Sequence, residues 1–224
     1  SYPSIEYIVM DGGSSDNTWS VFRRHRASIN KFVSEVDNGI YCAMNKAAVL
    51  ASGEWVIFLN AGDTFAEDTT VAEVAEFLTP GHDLVYGNTY FIDSDGHEKV
   101  VPAKDPEELW RALNFNHNSL FCRRELLLEH PFSSHYKIVA DSEFVLWCYT
   151  TGKKFCNTDL NINRYTRGGY SDQNSILRTV ERWKLVWDYK LVDDAELNTY
   201  YFQRLLWEDF NKAYLKEKYG CELP

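Results

Sequence analysis

Three clusters of carboxylates and amides each follow a short apolar, β-prone run. Asp11-Gly12-Gly13-Ser14-Ser15-Asp16 follows residues 5–10, Asp37 and Asn38 follow residues 32–34, and Asn60-Ala61-Gly62-Asp63 follows residues 55–59. Further along, Asp141 and Glu143 open a helix-prone run, His117 stands in Asn116-His117-Asn118-Ser119, and Gly168-Gly169 follow a strand-like stretch. Carboxylates in such places can hold a hard divalent cation or take a proton from a hydroxyl. A glycine pair lets backbone N–H groups approach an anion. Each group also has a plain structural reading. Asp, Asn, Gly and Ser are ordinary turn residues, Asp is a good helix cap, and a lone His is more often structural than chemical.

The elements that would carry these residues can be read from the pattern of apolar positions. Residues 5–10 form a buried strand with a turn at its C-terminal end. Asp16 caps a helix to about residue 26. Residues 32–34 form a second strand, and Gly39 opens a helix that Gly53 stops. Residues 55–59 form a third strand, and residues 69–78 alternate at helical spacing. This rhythm indicates an α/β fold with a doubly wound sheet. In such sheets ligands bind beyond the carboxyl ends of the strands, which is where the three polar clusters fall. Further strands are expected at 84–92 and 99–101, joined by the turn Asp93-Ser94-Asp95-Gly96. A short helix is expected at 106–113, a strand at 119–122, a helix at 141–149 and two separate strands at 154–156 and 162–165. Residues 175–219 read as aromatic-rich helices. The division is a domain over 1–175 and a helical extension over 176–224.

The chain has 224 residues with 45% hydrophobic and 25% charged, which is the range of a globular domain. Its net charge is −10 and no Lys/Arg block is longer than a pair, which argues against nucleic acid as a partner. A bound anion such as a nucleotide diphosphate would need local help against that field, and a carboxylate-held cation supplies it. The five cysteines are odd in number and contain no Cys-x-x-Cys pair, so a reducing compartment is expected. Neither a transmembrane run nor a signal peptide is visible, which leaves the cytoplasm as the expected location.

The block Ile8-Val9-Met10-Asp11-Gly12-Gly13-Ser14-Ser15-Asp16-Asn17-Thr18 resembles the nucleotide-binding segment of family 2 glycosyltransferases. So do Ser34-Glu35-Val36-Asp37-Asn38-Gly39-Ile40-Tyr41 with Ala43-Met44-Asn45-Lys46, and Gly53-Glu54-Trp55 with Phe58-Leu59-Asn60-Ala61-Gly62-Asp63. Their order and spacing are those of the colanic-acid-type branch, and the resemblance covers roughly residues 4–175. It implies a glycosyltransferase A-type sheet and transfer of a sugar from a nucleotide-sugar donor, such as a UDP-sugar, to a glycan or lipid-linked acceptor. It also implies Mg²⁺ or Mn²⁺ at Asp63, donor contacts at Asp11, Asp37, Asn38, Asn45, Asn60, Asp63, Gly168 and Gly169, and a general base at Asp141. His117 and Glu143 fall on the acceptor side, with Glu143 as the reserve base. The sequence departs from the family in three places. The first acid of an Asp-x-Asp-like element is replaced at Asn60, Cys42 stands where an Asp is common, and the first strand–helix unit of the fold is missing ahead of residue 5.

Two other readings compete. A sugar-nucleotide nucleotidyltransferase would be expected to open with a Gly-rich basic loop, and none is seen. A degenerate, non-catalytic binding domain fits Cys42 and the missing unit, but not the retained Asp63 and Asp141. The aromatic tail is expected to pack on the α/β core or form a homodimer contact. Its acidic residues disfavour peripheral contact with an anionic membrane face.

Overall fold

The computed structural model of the protein describes residues 2–219. The chain opens with β1 (Ile8–Asp11), α1 (Thr18–His25) and β2 (Lys31–Ser34). β1 and β2 pair in parallel as a two-stranded sheet, with Asp11 opposite Ser34, so their C-terminal ends share one edge. There follow α2 (Ile40–Leu50), β3 (Trp55–Val56), β4 (Thr64–Phe65), α3 (Thr70–Ala75), β5 (Leu84–Ile92) and β6 (Glu98–Val101). The second half supplies β7 (Leu120–Arg123), α4 (Arg124–Glu129), α5 (Ala140–Thr150), β8 (Phe155–Thr166), α6 (Tyr170–Gln173), α7 (Ser175–Tyr189) and α8 (Asp194–Tyr219). Six strands form a mixed sheet in the order β3-β7-β5-β8-β4, with β6 paired to β5. β5 and β8 run parallel, and the other pairs are antiparallel. Among the described residues no strand joins the two sheets.

β5 shows why the large sheet is central. Its side chains alternate between faces, as a strand requires. Leu84 and Tyr86 enter the larger core cluster, whereas Val85 enters a smaller one with Val74, Phe121 and Ile162 on the other face. The strand is covered on both sides, so its first half is a continuous apolar run. α5 lies within the larger cluster, burying Phe144, Val145, Leu146 and Cys148. Leu185 and Val186 of α7, with Leu197 and Tyr201 of α8, join that same cluster. The C-terminal helices therefore pack on the α/β core, while Phe202, Leu206 and Trp207 stay exposed.

Several expected elements differ in extent. The strand expected at 55–59 forms a ladder only at Trp55 and Val56, where β7 supplies partners. The two strands expected at 154–156 and 162–165 are one long β8. A bulge carries it past β5: the register shifts at Asn88, and Asp159 turns into the left-handed region with φ 57°. The helix expected at 106–113 is reduced to a 3₁₀ turn at Pro106–Glu108. Asp16 does not cap α1 directly. Asn17 holds the cap position, and Asp16 instead accepts from the Thr18 N–H and hydroxyl. Four cysteines are free, and Cys221 lies outside the described residues.

The bulge leaves no room at Gly87. A Cβ there would strike the Leu160 carbonyl oxygen and crowd Ile162 and Thr158. Gly87→Ala is expected to destabilise the protein by about 1–3 kcal/mol, the usual cost of overpacking. An unchanged midpoint in urea would contradict this packing.

A polar clamp ties the start of β1 to the rest of the first unit. Glu6 accepts from the Ser52 N–H at 2.6 Å and pairs with Lys31 Nζ at 2.5 Å. Hydrogen bonding to Lys31 and Ser52 holds the Glu6 carboxyl down at about 2. A depressed carboxylate stabilises the fold above its unfolded value and loses that contribution as pH falls through the folded one. Glu6→Gln is therefore expected to cost about 1 kcal/mol at neutral pH and to flatten the loss of stability between pH 4.5 and about 2. Parallel pH–stability curves for the two proteins would exclude the clamp.

Candidate active site

A cavity of about 550 Å³ opens at the edge of the large sheet where β5 and β8 end and β4 and β7 begin. Ile40, Tyr41 and Met44 of α2 form one wall, and Asn60 and Asp63 form another. His117, Asp141 and Gly169 also line the cavity. Asp63 and Asp141 are far apart in sequence, so tertiary structure alone brings them to one space.

Asp141 sits in the first turn of α5 and is nearly buried. Its Oδ1 accepts the Ser142 N–H at 2.8 Å and the Tyr41 hydroxyl at 3.1 Å. Its Oδ2 lies 3.2 Å from His117 Nδ1. Burial pushes this carboxyl up, but His117, the Ser142 N–H and Tyr41 more than offset it and hold it below the usual range. The carboxylate therefore stays ionised at neutral pH. The Tyr41 hydroxyl shares its one proton between Asp141 and the closer Ile138 carbonyl, 2.5 Å away, and burial together with Asp141 pushes it well above the ordinary tyrosine value.

His117 bridges the two halves of the cavity. Its Nε2 lies 3.2 Å from the Asn60 amide nitrogen. With Nδ1–H donating to Asp141, Nε2 is left to accept from Asn60. A chain of contacts thus runs from Asp141 through His117 to the loop that ends in Asp63.

Asp63 is half-buried. Its Oδ1 accepts the Thr166 N–H at 3.2 Å, and Oδ2 accepts from the Asn118 amide. Desolvation raises its carboxyl above the ordinary value, against the Thr166 bond and the nearby His117. Both of these hydrogen bonds come from amides rather than from a lysine or arginine. The Asn118 carbonyl oxygen beside it is buried without a partner. An under-compensated carboxylate among amide oxygens suits a hard divalent cation. The one three-ligand cluster of acidic and His groups among the described residues is elsewhere, at Asp93, Asp95 and His97 in the β5–β6 turn. There Asp93 is occupied by the backbone N–H groups of Asp95 and His97.

The remaining predicted residues separate into two groups. Asp11 and Asp37 meet at the β1–β2 edge, where a Cβ on Gly12 would lie 3.1 Å from Asp37 Oδ2. The Ser14 and Ser34 hydroxyls, at 2.5 and 2.6 Å, hold the Asp11 carboxyl below its ordinary value against burial. Asp37 accepts the Gly39 N–H, and Asn38 is exposed beside it. This edge belongs to the small sheet and does not line the cavity, although Gly39 leads directly into the α2 wall.

Asn45, Glu143 and Gly168 also lie off the cavity lining. Both ends of the Asn45 amide bond the Phe132 backbone, so it fixes α2 to the segment before α5. Glu143 is two residues from Asp141 and hence on another side of the helix. It accepts from His130 and from the Tyr189 hydroxyl at 2.6 Å. Gly168, with φ 98°, turns the chain so that its N–H reaches Asp172. Tyr41, Asn118, Thr166 and Arg182 were not singled out by the sequence. Tyr41 stood within a recognisable block, but an aromatic residue one position into a helix has no distinctive spacing.

Known proteins are similar to this chain in sequence and in fold. The chain is 32% identical over 152 residues to a PGL/p-HBAD biosynthesis glycosyltransferase of Mycobacterium tuberculosis, covering 65% of this chain and 59% of that protein. It is 26% identical over 151 residues to UDP-Glc:alpha-D-GlcNAc-diphosphoundecaprenol beta-1,3-glucosyltransferase WfgD of Escherichia coli, covering 66% and 58%. The chain thus spans less than two thirds of either relative. A mannosyltransferase of Pyrobaculum calidifontis, solved with GDP-Man and Mn²⁺, superposes with a TM-score of 0.65 at 17% identity, over 95% of this chain and 66% of that one. Its likeness supports the glycosyltransferase A-type fold. Residues 1–139 match Glycosyl transferase family 2, and with more than half of its length matched the chain belongs to that family.

Proposed function

We propose that this chain is the donor-binding and catalytic part of an inverting, metal-dependent glycosyltransferase. It moves a sugar from a nucleotide diphosphate, a UDP-sugar, to a hydroxyl of a glycan or lipid-linked glycan. Surface polysaccharide or glycolipid assembly on the cytoplasmic side of a membrane is the setting that goes with this reading. Among the described residues no helix is long and apolar enough to cross a membrane. The observation that carries the proposal is the contact chain Asp141–His117–Asn60 running to the Asp63 loop within one cavity. The names of the relatives and the Mn²⁺–nucleotide complex of the structural neighbour add support.

In this reading Asp63 holds Mg²⁺ or Mn²⁺ against the donor diphosphate. When bound, the cation supplies Lewis-acid neutralisation of the departing diphosphate. Gly169, at the cavity wall, offers a backbone that can approach the phosphates closely. Asp11 and Asp37, with exposed Asn38, are assigned to the nucleobase end of the donor, outside the cavity proper. A carboxylate there can accept the N–H of uracil.

Asp141 takes the proton of the attacking hydroxyl. Its Oδ2 has one lone pair directed to His117 and one left for the acceptor. Tyr41 and the Ser142 N–H hold the other oxygen and fix the carboxylate's plane. A single carboxylate on the acceptor side fits a one-step displacement with inversion. A second arrangement makes His117 the base: with Nδ1–H on Asp141, its Nε2 takes the proton in place of the Asn60 N–H that it accepts in this structure. The direct test is release of free nucleotide from a panel of nucleotide sugars with an acceptor and Mn²⁺. Acceptor-dependent release of UDP supports the proposal, and none from any donor overturns it.

A further inference from the structure

We propose that the acceptor side of the cavity carries an oxyanion subsite centred on Arg182, so that the acceptor is an acidic sugar compound bearing a phosphate or carboxylate near its reacting hydroxyl. The inference rests on the transferase reading of the cavity and names the substrate class.

The net charge of the chain is −10. Its cavity nevertheless draws Arg111, Lys137, Arg178, Arg182 and Arg204 to its lining, against the carboxylates of Asp63 and Asp141. Arg182, on α7, is the built element of this group. It is only 8% exposed. One Nη donates to Ser142 Oγ at 2.8 Å and the other to the Leu109 carbonyl at 2.7 Å. Its Nε–H is buried and has no partner. The Tyr201 hydroxyl also lies against the guanidinium, and among the described residues no carboxylate is hydrogen-bonded to it. Asp141 acts on it through space, but that carboxylate is already engaged by His117, Tyr41 and the Ser142 N–H.

A buried guanidinium lacking a bonded counter-ion is costly, and an unsatisfied N–H adds to the cost. An oxyanion in the cavity supplies the missing counter-charge, because the planar guanidinium presents donors suited to carboxylate and phosphate. Burial also pulls the Arg182 guanidinium below its ordinary value, which an anion would reverse.

The anchors of Arg182 place the subsite. Ser142 adjoins Asp141 on α5, so the guanidinium stands beside the base. Asp63 is tied instead to Thr166 and Asn118. Arg178 lies one helical turn before Arg182 and so on the same side of α7. It bonds the Ser171 carbonyl and hydroxyl, and pairs with Asp172 at 3.5 Å. This holds a second cation between Arg182 and the loop after Gly169.

The test is calorimetric titration of the chain in EDTA with glucose-1-phosphate, glucuronate and neutral methyl glucoside. The wild type is expected to bind at least one acidic probe, whichever binds tighter identifying phosphate or carboxylate, and to bind methyl glucoside at least ~10-fold more weakly. Arg182→Gln is expected to lose that preference while Arg182→Lys keeps part of it. If Arg182→Gln does not fold, Arg178→Gln, at a partly exposed position, must weaken the acidic probe several-fold. Asp63→Ala is expected to leave acidic-probe binding in EDTA unchanged. Equal binding of acidic and neutral probes by the wild type overturns the subsite. So does an acidic-probe affinity that appears only with Mn²⁺ and vanishes in Asp63→Ala, because the anion would then be occupying the donor's place. Mn²⁺-dependent UDP binding, measured in parallel, reports separately on the transferase reading.

Discussion

Asp141→Asn is expected to reduce sugar transfer by about 10²–10⁴-fold, the contribution of a positioned acid or base, while leaving UDP binding close to that of the wild type. The substitution keeps the side chain's shape and an oxygen for the Ser142 N–H. It removes the charge that His117 and Tyr41 face. Because the Asp141 carboxyl is held below its usual range, its ionised form contributes stability that is fully present at neutral pH and lost as pH falls through the folded value. The variant should therefore also melt somewhat lower near pH 7. Transfer must be normalised to folded protein by circular dichroism. His117→Gln serves as the control for the proton's route. Transfer within ~10-fold of wild type leaves Asp141 as the base, whereas a loss as deep as that of Asp141→Asn means the imidazole carries the proton. Near-normal transfer by Asp141→Asn itself removes the carboxylate from the mechanism.

Asp63→Ala is expected to lower transfer by about 10²–10³-fold, corresponding to the several kcal/mol that a bound cation contributes to neutralising the departing charge. The fold does not depend on this carboxylate being ionised. Desolvation raises its folded value, so ionisation at neutral pH works against stability. Asp63→Asn should accordingly leave the melting temperature unchanged or slightly higher while activity falls. A group that costs stability yet supports activity is the pattern of a functional site. A parallel fall in stability and activity would instead make Asp63 a structural link between the Thr166 backbone and Asn118.

The legibility of this fold depended on how local each signal was. β5 and α5 could be read because their apolar runs are long and continuous. β8 could not be read whole, because Asn157, Thr158, Asp159 and Asn161 interrupt it, and the bulge at Asp159 forms only against β5. Residues 109–113 look helical because Leu109 and Trp110 are apolar. In the fold the Leu109 carbonyl serves Arg182, and the Trp110 carbonyl accepts the Tyr201 hydroxyl at 2.5 Å.

That Asp63 and Asp141 line one cavity was foreshadowed by carboxylates following a strand-like run and opening a helix-prone one. Asn45 was a member of a recognisable block, yet its amide is taken up by Phe132. Motif membership does not reveal which way a side chain faces. Arg182 carried no signal at all, because an arginine within a helix is ordinary until its burial and its orphaned N–H are seen.

The proposed nucleotide site depends on a divalent cation held at Asp63. Calorimetric titration of UDP into the chain, with Mn²⁺ and then with EDTA, tests it most directly, with Asp63→Ala as the paired sample. The wild type is expected to bind UDP saturably with Mn²⁺ and at least ~10-fold more weakly in EDTA, and Asp63→Ala to respond little to Mn²⁺. Equal UDP affinity with and without Mn²⁺, or an Asp63→Ala titration indistinguishable from wild type, would contradict it.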